Sequence, residues 1–298
     1  MQKKLLFIVN PRAGRTKSRE PLFDAVSIFC EAGFLVDVVM TRRRGDAEMY
    51  ALTRGAAFDL VVCHGGDGTL SETVNGLMGI DAAQRPPVSY LPGGSTNDFA
   101  ASLRISGEPA MAAQSAMRLD PRRLDVGCFA DRHFVYVASF GSFTQASYSA
   151  PQDVKNMFGH FAYFLEGVRD LDSLRPYPMK ITTDSGEVFE GEYLFGAVSN
   201  ATSVAGLMKI SPDRVDFNDG QFELMLVPVP KTALGLQRLI TALSTQRYTE
   251  SKSLIFRHVR SIVAESPDST PWSLDGEYAP GRERVEISID HNALELMI

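Results

Sequence analysis

The chain has 298 residues, of which 44% are hydrophobic and 22% charged, with a formal net charge of -6 and a pI near 5.5. That length and apolar content are enough for a large buried core, most naturally divided between two domains. The acidic balance argues against a nucleic-acid partner, whose phosphates require a basic face. Cys30, Cys63 and Cys128 lie in apolar surroundings with neither CxxC nor zinc-ligand spacing, which fits core thiols in a reducing compartment. The apolar run at the start reaches only from Leu5 to Val9 before Asn10 and Pro11, far short of a secretion signal or a membrane span. A cytoplasmic protein with no transmembrane segment is expected.

Strand and helix patterns alternate in the first third of the chain. LLFIV reads as a strand, residues 21–33 have helical periodicity, FLVDVVM is a second strand and residues 45–55 are helical. FDLVVC and SYLP make a third and a fourth strand. Strands apolar on both faces, separated by helices, imply an α/β domain with a mostly parallel sheet flanked by helices. From about residue 125 the pattern changes. RHFVYVASF, PMKITTD, EVFEGEYLFGAVSN, QFELMLVPV, LIFRHVRSIVAES, RVEISID and ALELMI are strand runs, with turn signals at Asp184-Ser185-Gly186, Asn218-Asp219-Gly220 and Asp290-His291-Asn292. This half is expected to be an antiparallel β-sandwich, interrupted by helical patterns at residues 154–170 and 232–245. The change of pattern divides the chain into 1–124 and 125–298.

Residues 62–78, VCHGGDGTLSETVNGLM, set Gly65, Gly66 and Gly68 around Asp67 at the entrance to a helix. Ligands of parallel sheets bind beyond the carboxyl ends of the strands, where a helix N-terminus offers free N–H groups and the positive end of its dipole to phosphate oxygens. The glycines let backbone approach an anion, and Thr69 adds a hydroxyl. Asp67 would repel a bare phosphate. It becomes useful with Mg2+ between the two, or as an acceptor of backbone hydrogens that fixes the loop. A tight strand-to-helix turn with Asp67 as a cap fits the same residues. A second glycine pair in LPGGSTNDFA follows the fourth strand, with Gly94, Ser95, Thr96 and Asn97 as donors, while Asn10 and Gly14 follow the first strand and Thr41 the second. Each alone is ordinary turn chemistry; four at one sheet edge suggest a phosphate site.

Taken with the downstream SLDGE, the motifs GGDGTLSETVNGL and LPGGSTNDFA resemble the diacylglycerol kinase catalytic family, soluble bacterial lipid kinases related to sphingosine kinases and distantly to NAD kinases. NPRAG, the Thr41 to Asp46 turn, KNMFGHFAYFLEGV and SNATSVAGLMKISPDRVDFNDGQFEL extend the likeness over essentially the whole chain. Ser95-Thr96 stands where the family has threonine followed by glycine or alanine, and Ala13 where it often has serine.

The resemblance implies ATP between an α/β domain and a β-sandwich domain that takes the lipid acceptor. Asn10 and Thr41 would lie near the nucleotide, with Gly65, Gly66, Gly68 and Thr69 around the phosphates and Gly94, Ser95 and Asn97 beside them. No GxxxxGK[ST] loop and no protein-kinase HRD or DFG motif is present. The acceptor side needs a carboxylate to take the hydroxyl proton. Asp275 is the expected base, with Glu277 orienting it or sharing a metal; an Asp-Gly hairpin turn is the plain alternative. Asp67 would join them by holding a bridging Mg2+. The resemblance also implies a structural Mg2+ at VDFNDGQF, held by the Asp219 side chain and the carbonyls of Asp216 and Gln221, against an Asn-Asp-Gly turn as the alternative. Aromatic residues of the 154–170 segment, Phe158, Phe161, Tyr163 and Phe164, line an acyl slot, touch the bilayer or form ordinary core.

The expected activity is an ATP- and Mg2+-dependent lipid kinase, converting diacylglycerol to phosphatidic acid. Phosphatidylglycerol, a sphingoid base or NAD are alternative acceptors, and a non-catalytic nucleotide- or lipid-binding regulator is the alternative from another class. The expected partners are a lipid at the inner membrane surface, which the protein meets peripherally, and a second copy of the chain in a homodimer.

Overall fold

The computed structural model describes residues 2–14, 20–95, 97–118, 121–141, 174–204, 208–209, 215–245, 248 and 251–298. The expected helix at residues 154–170 lies outside them. The chain divides into two compact units, Met1–Val126 with His291–Ile298, and Gly127–Asp290.

In the first unit, β1 (Lys3–Val9), β2 (Phe34–Met40), β3 (Leu60–Gly65) and β4 (Val88–Pro92) pair in parallel in the order β4-β3-β1-β2. Between them run α1 (Glu20–Glu31), α2 (Asp46–Arg54) and α3 (Asp67–Met78); α4 (Asp98–Leu103) and α5 (Pro109–Ala116) follow. Leu5, Phe7, Val9, Leu60 and Val62 pack with Ala25 and Phe29 of α1 and Ala112, Ala113 and Ala116 of α5. Phe7 meets Phe29 edge-on, with ring centroids 5.7 Å apart; burying a side chain of that size is worth about 2 to 3 kcal/mol. The alternate residues Leu6, Ile8, Val61 and Cys63 are equally buried, so the strands are apolar on both faces, as a covered parallel sheet requires. Of the three thiols only Cys63 is a core residue; Cys30 is exposed and Cys128 partly so, contrary to the expectation from their apolar neighbours in sequence.

The second unit is antiparallel. Its strands are β5 (Pro121–Phe129), which begins in the first unit, β6 (Arg132–Phe134), β7 (Val137–Gly141), β8 (Tyr177–Thr183) and β9 (Val188–Ser199). A short ribbon of β10 (Ser203–Val204) and β11 (Met208–Lys209) precedes β12 (Phe222–Pro228), then α6 (Ala233–Ser244), β13 (Ile255–Val259) and β14 (Ser261–Glu265). Last come β15 (Trp272–Leu274), β16 (Glu277–Ala279) and β17 (Arg284–Met297). β9 serves two sets of neighbours. Its first half pairs with β8, and its second half with β7 on one side and β12 on the other, which lets one strand bind together the layers of a sandwich. Trp272 lies between Phe129 and Phe140, at centroid distances of 5.4 and 4.9 Å, and Phe134 stacks on Phe222, all within one core.

Two strand expectations are corrected. LIFRHVRSIVAES is two strands, since β13 pairs with β12 whereas β14 pairs with β8 and β17. RVEISID and ALELMI are a single strand, because Asp290-His291-Asn292 makes a local kink rather than a reversal: Asn292 has φ 56, and its N–H and His291 Nδ1 both reach the Asp125 carboxylate, at 2.7 and 2.8 Å. The end of β17 pairs in parallel with β4 at Leu296↔Val88, and Met297 joins the core of the first unit, so the last eight residues, expected within 125–298, group with the first unit.

Candidate functional site

The site residues expected from the sequence fall into two groups, one in each unit. In the first, the carboxyl ends of β1 to β4 hold together through their own loops. β3 ends at Gly65, Gly66 is the N-cap of α3 in extended conformation, and the N–H groups of Thr69 and Leu70 both donate to Gly66 O. Gly93 N donates to Gly65 O at 2.7 Å, and Asn10 N to His64 O and Thr41 N to Val9 O, each at 2.9 Å. Asn10 Nδ2 donates to Thr69 Oγ1 at 3.0 Å, which joins the loop after β1 to the first turn of α3. Asn97 closes the second glycine loop on itself: its Oδ1 accepts from Gly94 N and its Nδ2 donates to Gly94 O, both at 2.9 Å. Buried Tyr90 hydroxyl donates to Gly65 O at 3.0 Å and reaches Asn97 Oδ1 at 3.2 Å.

The glycines are there because backbones touch. A Cβ on Gly94 would lie 2.6 Å from Gly66 Cα, and one on Gly14, which has φ 71, would strike the Gly93 carbonyl. Neither neighbour is a side chain that can swing away. The loops after β1, β3 and β4 therefore form one backbone surface. Asn10, Thr41, Gly65, Gly66, Gly68, Thr69, Gly94 and Asn97 are brought to this edge, and Ser95 is exposed beside it.

Asp67 does cap a helix, though not the one it begins. Its Oδ2 accepts from Asp98 N at 3.2 Å and its Oδ1 from Phe99 N at 3.4 Å, so the carboxylate closes the start of α4 and ties the two glycine loops together. Burial raises its pKa against those hydrogen bonds. Asp98 is pushed up to about 6, first by burial and then by the charge of Asp67. Two carboxylates crowded into a partly buried spot form a place that a cation would relieve. His64, beside the loop, is kept neutral at pH 7 because burial lowers its pKa; its Nδ1 faces Leu91 O at 3.1 Å and its ring packs on Gly93.

A residue overlooked in the sequence organises the Thr41 loop. Glu72, one turn after Thr69, accepts from Gly45 N at 2.9 Å and Ala47 N at 3.3 Å at the start of α2, while Asp46 accepts from Arg42 N and Arg43 N. The signal was a glutamate facing another helix start, which no local pattern marks.

In the second unit, Asp275 and Gly276 connect β15 to β16 as a two-residue hairpin with Leu274 opposite Glu277. Both have positive φ, 49 and 82, as a type I′ turn requires. The hairpin alternative is thus right about the backbone, but the turn is not solvated. Asp275 is 3% exposed, and its carboxylate accepts from the N–H groups of Val135 (2.7 Å), Tyr136 (3.0 Å) and Val137 (3.1 Å). Both its oxygens are engaged with backbone. Glu277 is partly exposed.

The Asp216–Gln221 segment is a loop, with Gly220 at φ 72. Asp216 Oδ1 accepts from Asn218 N at 3.1 Å and Asp219 Oδ1 from Gln221 N at 2.8 Å. Both aspartates are exposed, whereas Asn218 Oδ1 in the same loop and Glu223 Oε2 in β12 are buried with no hydrogen-bond partner among the described residues. That oxygen set suits a hard cation.

A parallel α/β unit with backbone cradles at its strand ends, followed by an antiparallel β unit carrying an acidic hairpin, has the two parts that the diacylglycerol kinase resemblance implies. The diacylglycerol kinase catalytic domain model matches residues 4–129, and the YegS C-terminal NAD kinase beta sandwich-like domain model matches residues 137–298. The chain is 33% identical over 278 residues to a diacylglycerol kinase of Bacillus subtilis, covering 93% of this chain and 90% of that protein. It is 31% identical over 279 residues to one of Staphylococcus aureus, covering 93% and 87%. Its fold matches the crystal structure of a diacylglycerol kinase from Bacillus anthracis with a TM-score of 0.80 at 26% identity, over 99% of this chain and 96% of that one. The chain belongs to the diacylglycerol kinase catalytic family and is a lipid kinase. Among the described residues no helix is long and apolar enough to cross a membrane.

Proposed function

We propose that the protein transfers the γ-phosphate of ATP, in the presence of Mg2+, to the free hydroxyl of diacylglycerol, giving phosphatidic acid. The observation that carries this reading is the joined backbone cradle at Gly66 and Gly94, whose closeness leaves no room for side chains and suits a phosphate chain. Gly65, Gly66, Gly68 and Thr69 bind the phosphates, Gly94, Ser95 and Asn97 lie beside them, and Asn10 and Thr41 approach the rest of the nucleotide. The carboxylate of Asp67 is turned onto the N–H groups of α4, which softens its repulsion of phosphate.

Asp67 and Asp98 would hold a Mg2+ at the phosphates, which would supply charge neutralisation there. A structural Mg2+ would be held by Asp216, Asp219 and Gln221. The proton of the acceptor hydroxyl passes to Glu277 as that oxygen bonds to phosphorus and ADP departs. This reverses the roles expected from sequence. Asp275 cannot readily take a proton while three N–H groups point at its oxygens, so it anchors the hairpin that presents Glu277. A lipid acceptor requires work at a membrane surface, which the protein would meet peripherally from the cytoplasmic side. Light scattering reads whether it does so as a homodimer.

The test is transfer of labelled phosphate from ATP to diacylglycerol, phosphatidylglycerol, sphingosine, ceramide and NAD, with and without Mg2+. Label in diacylglycerol that depends on Mg2+ is expected. Label confined to NAD overturns the lipid reading, and label confined to another lipid overturns the acceptor.

A further inference from the structure

A group of polar atoms in the second unit has no part in the transfer just described. Glu223 of β12 is 2% exposed and stands in register with Ser199 of β9, which is fully buried. Phe222 and Leu224 on either side of it belong to the aromatic core, so Glu223 and Ser199 share the opposite face, where the next pair, Met225 and Ala197, is buried too. Glu223 Oε2, Ser199 Oγ and Asn218 Oδ1 are all buried with no hydrogen-bond partner among the described residues. His258 Nδ1 is 4.0 Å from Glu223 Oε1, too far for a hydrogen bond and an ion pair only when the ring is protonated. Asn200, next to Ser199, donates from Nδ2 to Phe217 O at 3.3 Å and so holds the loop bearing Asn218 against the end of β9.

A carboxylate enclosed this way is strongly disfavoured unless positive charge comes with it. One proton on Glu223 would satisfy one oxygen and leave the Asn218 acceptor bare. A hard cation takes all three, because its ligands are carboxylate, amide and hydroxyl oxygens.

We propose that Glu223, with Asn218 Oδ1 and Ser199 Oγ, forms the interior wall of a divalent-cation site whose outer wall is the Asp216–Gln221 turn. The proposal rests on reading that turn as a Mg2+ site and assigns the ion's buried ligand, which the sequence motif does not contain. Because two of the three oxygens belong to paired strands, the ion would fasten the loop to the β9–β12 ladder, and its binding would be coupled to folding.

The experiment melts EDTA-stripped, nucleotide-free protein across MgCl2 from none to about 20 mM, with NaCl at matched ionic strength as control. The native chain should show a saturable rise in Tm. Glu223→Gln should raise the Mg2+ midpoint at least about tenfold and melt no lower than the native chain without metal. If Glu223→Gln keeps the native midpoint while Asp219→Asn loses the response, the turn binds Mg2+ alone and the interior wall is wrong. If the native chain does not respond to Mg2+, turn and wall fall together. Should Glu223→Gln not fold, Ser199→Ala reads the same quantity: a midpoint about threefold higher or more supports the site, and an unchanged one overturns it.

Discussion

Exchanging one oxygen for an amide nitrogen at two neighbouring carboxylates separates the acid that builds the hairpin from the acid that takes the proton. Asp275→Asn keeps the backbone at ease, since asparagine accepts φ near 49 with little strain. It also keeps an oxygen for Tyr136 N and Val137 N. It sets an NH2 group against Val135 N–H, now 2.7 Å from Oδ2, and removes the charge that all three donors face. Losing one charge-assisted bond and stranding one buried donor costs about 2 to 4 kcal/mol. That amounts to a fall in Tm of roughly 5 to 15 °C for a domain of this size. Glu277→Gln, at a partly exposed strand end, should shift stability by about 0.5 kcal/mol or less while lowering kcat by about 10² to 10⁴. Thermal or urea unfolding of both variants, beside turnover at saturating lipid and ATP, reads the two effects separately. An Asp275→Asn protein with native Tm and a hundredfold loss of turnover, or a fully active Glu277→Gln, would refute the division of roles.

Three further outcomes follow from the first unit. Asp98 has a folded pKa of about 6 against an ordinary 3.8, so the folded state holds the extra proton between those values; the contribution of this group to stability is fully present below about pH 4, falls as pH rises to about 6 and is gone above. Asp98→Asn should therefore melt higher than the native chain at pH 7.5, by roughly 3 kcal/mol at most, with the gain gone at pH 4; equal melting at pH 7.5, measured without Mg2+, would count against crowding by Asp67. Gly94→Ala puts a methyl group 2.6 Å from Gly66 Cα and must part the two loops, so the KM for ATP should rise about tenfold or more, with a loss of about 1 to 3 kcal/mol in stability. Glu72→Ala leaves Gly45 N and Ala47 N without their acceptor, at a cost of about 1 to 3 kcal/mol, and hydrogen exchange should quicken first at the start of α2.

The helix-period and strand-period runs of the first third, the hairpin turns at Ser185-Gly186 and Asp275-Gly276, and the glycine loops at strand ends were legible because each depends on neighbours a few residues away. Thr232 was legible in the same way, as the start of a helical run, and its hydroxyl caps α6 by accepting from Gly235 N. Glu72 was not. Its partners lie 25 and 27 residues earlier, on another helix, and glutamate in mid-helix has no special look. LIFRHVRSIVAES reads as one strand because periodicity reports which face is apolar and is silent about which neighbour each half will take.

By itself the sequence determined the class of each unit, the edge of the sheet where the glycine loops gather and the family of the enzyme, all of them consequences of local backbone preference and ordered motifs. Tertiary structure alone decided what the acids do. Asp275 became an anchor because Val135, Tyr136 and Val137, nearly 140 residues earlier, bring their N–H groups to it. Glu223 became a buried carboxyl group with one oxygen unpartnered among the described residues because β9 pairs beside it, and the last residues left their own half of the chain because Leu296 found Val88. Burial and pairing are set by which distant segments meet, and a carboxylate's chemistry follows from burial and donors rather than from the residues beside it in the chain.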